Sequence, residues 1–290
     1  MRYRRALVAL DGSDNSGRTL DWLRCVEPDT ELTLLRVFEP VLAMTDPGML
    51  QPMAPFEDAG EEYLAHVAAG IAPTPRLVVR IGTPWVHILR EARRESRDLI
   101  VVATRGGARL RRRILGGTIE RLLDHSEIPL MVVPARMGAL PVPDRVRRLA
   151  IPVDESPSAQ ATLLWAISLA RRLESRIDLI DVCRSASGPD PEEMGEEPNL
   201  AAVVAESHAP HRLHLLARSV ERSGVPVDVV DARGPFPALF LHVAGQRKVD
   251  LIALAIRRQG AVERLFFGSK ASRLIQESHV PVLVARHDLP

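Results

Sequence analysis

The sequence predicts an α/β protein built from two tandem Rossmann-like domains, each a five-stranded parallel sheet with four helices. Three observations lead there. Apolar runs of five or six residues alternate with longer amphipathic segments, the pattern of βαβ crossovers on a parallel sheet. The alternation runs through the chain twice. The second pass repeats residues of the first at fixed spacing: Asp98-Leu99-Ile100-Val101-Val102-Ala103-Thr104-Arg105 matches Asp250-Leu251-Ile252-Ala253-Leu254-Ala255-Ile256-Arg257 at an offset of 152. The same offset pairs Arg121-Leu122-Leu123 with Arg273-Leu274-Ile275 and Ile128-Pro129 with Val280-Pro281. Nearer the front, Ala9-Leu10-Asp11 matches Pro152-Val153-Asp154 at 143. The nine-residue difference is inserted length, and 185–198, rich in Pro, Gly and Glu, reads as its loop.

The elements follow in order. Strands are expected at 4–10, 32–38, 76–81, 98–103 and 129–133, with helices at 14–26, 57–70, 84–95 and 117–126. The second copy repeats them as strands at 148–153, 177–182, 225–230, 249–254 and 280–285 and helices at 157–173, 200–222, 236–245 and 269–277. Pro84 and Pro157 suit the first turn of a helix, Ser156 suits an N-cap, and Gly224 suits a helix end. The domains are read as 1–137 and 148–290, with a linker at 138–147 containing Gly138, Pro141 and Pro143.

Composition narrows the function. Lys and Arg number 38 against 37 Asp and Glu, so no broad basic face for nucleic acid or a membrane surface is expected. No apolar run approaches the ~18 residues of a bilayer span. The first residues run straight into a strand pattern, so no signal peptide is expected and the location is read as cytoplasmic. Cys25 and Cys183 read as buried, unpaired thiols.

In an open parallel sheet, ligands sit beyond the carboxyl ends of the strands. Those ends carry Asp11-Gly12-Ser13 and, after the fourth strand, Thr104-Arg105-Gly106-Gly107, with Gly116-Gly117-Thr118 opening the next helix. Glycines admit close backbone approach, and free N–H groups at a helix start attract phosphate. Thr118 adds a hydroxyl donor, and Asp11 accepts from a ribose hydroxyl or a base amine. The same glycines also suit tight turns with no ligand. There is no Walker A loop and no dinucleotide fingerprint after the first strand.

With these residues in place, the chain resembles a tandem universal stress protein over almost its full length. ATP-binding members carry G-x-x-G, nine residues, then G-[ST]. The first copy aligns as Ala103-Thr104-Arg105-Gly106, nine residues, Gly116-Gly117; the second as Ala255-Ile256-Arg257-Arg258, nine residues, Gly268-Ser269. The first copy has lost one glycine and carries its hydroxyl one place late, at Thr118. The second has lost both leading glycines, and Arg258 stands where phosphate would lie. The resemblance implies that Asp11 and Asp154 meet the adenosine part and that the backbone at Val37 and Val182 meets adenine. It implies ATP chiefly in the first domain, with any Mg²⁺ held mainly by the phosphates, and two domains that pair through their fifth strands as a pseudo-two-fold pair. The other reading is a nucleotide-free interaction protein that keeps the fold.

Arg105, Arg109, Arg111, Arg112 and Arg113 lie between the glycine elements and either screen phosphate charge or form a solvated or subunit-contacting face. The Met44–Met53 segment reads as a lid or packing loop, and the 192–197 acidic loop as solvated. His208, His211 and His214 recur every third residue without a completing ligand, so they read as exposed histidines. Trp22, Trp85 and Trp165 read as core or inter-domain anchors. No catalytic set is expected, and at most weak ATPase activity. A homodimer of tandem chains and an unidentified protein partner are the expected associations.

Overall fold

Residues 5–10 alternate between two buried faces, with Ala6, Val8 and Leu10 on one and Leu7 on the other, as a strand covered on both sides requires. This strand, β1 (Arg5–Leu10), lies in a computed structural model that describes residues 2–13, 16–39, 54–104, 117–135, 141–153, 158–183, 211–257 and 269–287. The chain continues through α1 (Ser16–Val26), β2 (Glu31–Phe38), α2 (Ala54–Ala68), β3 (Arg76–Ile81), α3 (Pro84–Arg94), β4 (Leu99–Ala103), α4 (Gly117–His125) and β5 (Leu130–Val133). Then follow β6 (Arg148–Val153), α5 (Ser158–Leu173), β7 (Arg176–Cys183), α6 (His211–Arg222), β8 (Val227–Arg233), α7 (Ala238–Gln246), β9 (Leu251–Arg257), α8 (Ser269–Glu277) and β10 (Val282–His287).

All ten described strands form one sheet in the order β3-β2-β1-β4-β5-β10-β9-β6-β7-β8. Every neighbouring pair is parallel except β5 and β10, which run antiparallel with Val132 opposite Val282 and Leu130 opposite Val284. That pairing turns what would be an exposed strand edge in each half into the centre of the sheet. The outer edge at β3 is blunted by Arg80, whose Nη1 donates to the Val79 carbonyl at 2.8 Å.

Helices cover both faces. Leu20, Trp22 and Leu23 of α1, Leu64 of α2, Leu163 and Leu169 of α5 and Leu213 of α6 pack on one. Ile88 of α3, Leu122 of α4, Phe240 of α7 and Leu274 of α8 pack on the other. The first layer crosses between halves. Arg172 at the end of α5 donates to the Val26 carbonyl at 2.9 Å and pairs with buried Glu27 at 2.8 Å, and Glu27 in turn accepts the Tyr3 amide at 3.0 Å. Burial pushes the Tyr3 hydroxyl up to about 12. Trp22 and Trp165 are thus buried anchors, while Trp85 is half-buried against the other layer. Cys25 is only half-buried, less than its apolar surroundings in sequence imply.

The repeated motifs do the same work twice. Asp98 accepts the amides of Arg4 and Arg5 at 2.9 Å each, and Asp250 accepts those of Arg147 and Arg148 at 2.8 and 3.0 Å. Each aspartate therefore ties the start of one central strand to the start of its neighbour. Ser126 and Ser278 each bond the carbonyl two residues on, at 2.7 and 2.6 Å, making the same turn into the following strand. Several boundaries differ from the sequence reading. β8 runs to Arg233 rather than 230, and β9 runs to Arg257 rather than 254, because their backbones stay in register with β7 and β10.

Candidate functional site

The carboxyl ends of β1, β2 and β4 and the start of α4 lie at one end of the first half, on β-strands that are neighbours in the sheet. After β1 the chain bends sharply. Exposed Asp11 accepts the Ser13 amide at 3.0 Å, and Gly12 sits at φ +79°, a left-handed conformation that favours glycine. Val37 is half-buried in β2 and packs on the second apolar layer.

Ala103 is the last residue of β4, opposite Val133. Thr104 then fixes the exit: its amide donates to the Val133 carbonyl at 2.9 Å, and its hydroxyl accepts the Ala135 amide at 2.9 Å. Arg105, Gly106 and Gly116 lie outside the described residues. Gly117 opens α4 on the exposed side, and a Cβ there would meet nothing within 4 Å. Half-buried Thr118 follows in the first turn. This is a helix start whose first N–H groups lack intrahelical partners, chemistry suited to an anion.

In the second half, Val182 is half-buried in β7 and Ser269 opens α8, whereas Asp154, Arg258 and Gly268 lie outside the described residues. The two halves differ at the fourth strand of each. The residues matching Thr104 and Arg105 are Ile256 and Arg257, and these remain in β9, opposite Arg286 and His287 of β10. In the first half β4 ends at Ala103, and Thr104 already lies outside it. Of the other residues singled out in sequence, 44–53, 192–197 and His208 lie outside the described residues, and His214 is exposed. Among the described residues no cluster of three or more His, Cys, Asp or Glu side chains could hold a metal ion, and no helix is long and apolar enough to cross a membrane.

Two neighbours of the site were not apparent from sequence. Arg36 of β2 places its guanidinium 4.6 Å from the ring centres of both Phe38 and Tyr63. Its Nε and Nη1 are buried with no hydrogen-bond partner among the described residues. The only hint in sequence is a lone cation inside Leu34-Leu35-Arg36-Val37-Phe38. His87 of α3 lies against Gly82, where a Cβ would come within 2.5 Å of Nε2. Burial, with the charges of Arg90 and Arg80, holds its imidazole below the usual histidine range.

Comparisons with known proteins agree with this architecture. The sequence model of the Universal stress protein family matches residues 2–134 and again 145–286. A universal stress protein of Mycolicibacterium smegmatis is 26% identical over an alignment covering 97% of this chain and 96% of that protein. One from Mycobacterium tuberculosis is 26% identical over 77% of this chain and 76% of its own. The crystal structure of a universal stress protein from Archaeoglobus fulgidus superposes with a TM-score of 0.73 at 21% identity, covering 99% of this chain and 97% of that one.

Proposed function

The chain belongs to the universal stress protein family, and on that premise we propose that it binds ATP as a regulatory ligand, mainly in its first domain, with little or no hydrolysis. The domains are taken as 1–137 and 148–290 about a 138–147 linker, related by a pseudo-two-fold axis between β5 and β10. The observation that carries the reading is the contrast at the fourth strand. β4 ends at Ala103 with Thr104 pinned beside β5, while β9 continues two residues further, to Arg257. The first half thus leaves its strand at Thr104, the second position of its phosphate motif, whereas the counterpart Ile256 is still in β9.

In this reading Asp11 accepts from the ribose or base, and the Val37 backbone flanks adenine. Ala103, Arg105, Gly106, Gly116, Gly117 and Thr118 surround the phosphates. Asp154, Val182, Gly268 and Ser269 are their degenerate counterparts. Exposed Asp11 and exposed Gly117 fit such a ligand. Mg²⁺, when present, is held mainly by the phosphates with water completing its shell. Bound ATP would contact the arginines of 105–113 and so alter a surface for a protein partner or for a second tandem chain in the cytoplasm.

A second reading, a nucleotide-free interaction protein, is favoured by Ala103, whose methyl stands where ATP-binding relatives have glycine. The deciding experiment denatures protein purified without added nucleotide and identifies what is released by chromatography and mass. A parallel calorimetric titration adds ATP with magnesium. One ATP per chain is the expected stoichiometry. Two would overturn the asymmetry, and none in either measurement would leave the nucleotide-free reading.

A further inference from the structure

Arg36 is a cation whose setting is explained neither by the core nor by an ion pair among the described residues. It stands on β2 opposite Leu10, one residue before the site's turn begins. Its guanidinium is held between the faces of Phe38 and Tyr63, and Phe38 is itself backed by Phe56 with ring centres 5.6 Å apart. Two of its N–H-bearing nitrogens, Nε and Nη1, are buried without acceptors among the described residues. Stacking on two aromatic faces offsets part of that cost.

The space the guanidinium fills is the space Gly12 leaves. A Cβ at residue 12 would lie 2.0 Å from Nη1, 2.6 Å from Nη2 and 2.7 Å from Cζ. The end of an arginine is ordinarily free to move aside, but here two rings pin it. The second half changes both positions together. The register that sets Arg36 opposite Leu10 sets Asp181 opposite Val153, and the 143 offset that equates Asp11 with Asp154 equates Gly12 with Glu155. A glycine and a long cation in one half become a glutamate and a short carboxylate in the other.

We propose that Arg36 is a positioning residue: packed against Gly12, it holds the Asp11–Gly12–Ser13 turn in the bent form that presents the Asp11 carboxylate at the strand ends. Its consequence for ligand rests on the nucleotide reading above, but the turn-holding role does not. The arrangement also marks the first half off from the second, where the corresponding strand residue is acidic.

A double-mutant cycle tests it. Gly12→Ala is measured by urea unfolding in the wild-type chain and again in Arg36→Ala. Strain at the left-handed backbone acts in both, whereas the clash acts only when Arg36 is present. A smaller loss in the Arg36→Ala background is expected, and equal losses overturn the proposal. Hydrogen exchange of a peptide spanning residues 11–17 gives a second ligand-free readout. Faster exchange in Arg36→Ala is expected, and unchanged exchange overturns it. Where the wild type binds ATP, Arg36→Ala should weaken affinity by about tenfold. Arg36→Lys should not restore it, because an ammonium lacks the planar surface that stacks on both rings. Full rescue by lysine would show that charge alone matters and would overturn the packing role. A wild type that binds no ATP removes the nucleotide reading, and the two ligand-free measurements still decide the role of Arg36.

Discussion

At the amino ends of their strands, both halves build charge clusters, and three corresponding positions carry opposite signs in the two. In the first, Arg97 bridges Glu95 at 2.8 Å and Glu31 at 2.9 Å, Arg76 pairs with Glu95, and Thr33 donates to Glu95 at 3.2 Å. In the second, Arg148 and Arg247 each reach Asp178 at 3.0 Å. Asp228 gathers Arg148, Arg176 and Arg247 at 2.9, 3.1 and 2.6 Å. The strand registers equate Glu31 with Arg176, Thr33 with Asp178 and Arg76 with Asp228; the 152 offset equates Glu95 with Arg247. One pair, Arg76 with Glu95, reappears with its signs exchanged as Asp228 with Arg247, whereas the hubs Arg97 and Asp178 align with Val249 and Thr33, so the repeat keeps a charge cluster there but rebuilds most of its pairs. Exchanging the sign at both partners preserves the Coulomb attraction, whereas changing one leaves a buried charge without its partner.

The comparison is most easily broken in the second half. Asp178 is fully buried beneath two guanidinium groups, so Asp178→Ala should cost about 3–5 kcal/mol in urea unfolding. Glu95→Gln should cost less, about 1–3 kcal/mol, because Arg97 keeps Glu31 and Arg76 is half exposed. Equal losses would mean that the two clusters are energetically alike despite their different burial.

At the opposite end of the strands, Gly106→Arg should abolish measurable ATP binding in the first half by crowding the phosphates, a loss of at least about tenfold in calorimetric affinity. Undiminished affinity would remove Gly106 from the site. Arg258→Gly sharpens the same contrast from the other side. If its side chain is the main defect of the second half, the stoichiometry should rise toward two. An unchanged stoichiometry would place the defect in the longer β9 strand, which the substitution leaves intact.

The smallest effect is one of pH. Burial pushes the Glu95 carboxyl up, but hydrogen bonds from Arg97 and Arg94 and the charge of Arg76 outweigh it, so its pKa lies below the usual glutamate range. A carboxylate lowered on folding stabilises the native state above its unfolded pKa of about 4.3 and loses that contribution as pH falls through the folded value. Glu95→Gln should therefore flatten the acid side of a stability-versus-pH curve. A slope identical to wild type would show that Glu95 carries none of it.

Much of the fold was legible because its signals are local or repeated. The apolar runs placed β1 and β4, Pro84 marked the start of α3, and the matched Asp98 and Asp250 announced two copies before any strand was paired. The candidate site was legible only as strand-end residues and glycines at the right spacing. Sequence could not tell that β9 extends to Arg257 while β4 stops at Ala103, because that depends on how many residues β10 and β5 offer as pairing partners. Nor could it place Arg36 on Gly12, or Arg172 on Glu27, contacts between residues 24 and 145 positions apart. Local pattern follows from side-chain periodicity along one segment, so the sequence by itself determined the elements, their order and their duplication. Which charges meet, where a strand yields to a turn and what fills the space above a glycine depend on segments brought together only by folding, and those the tertiary structure decided.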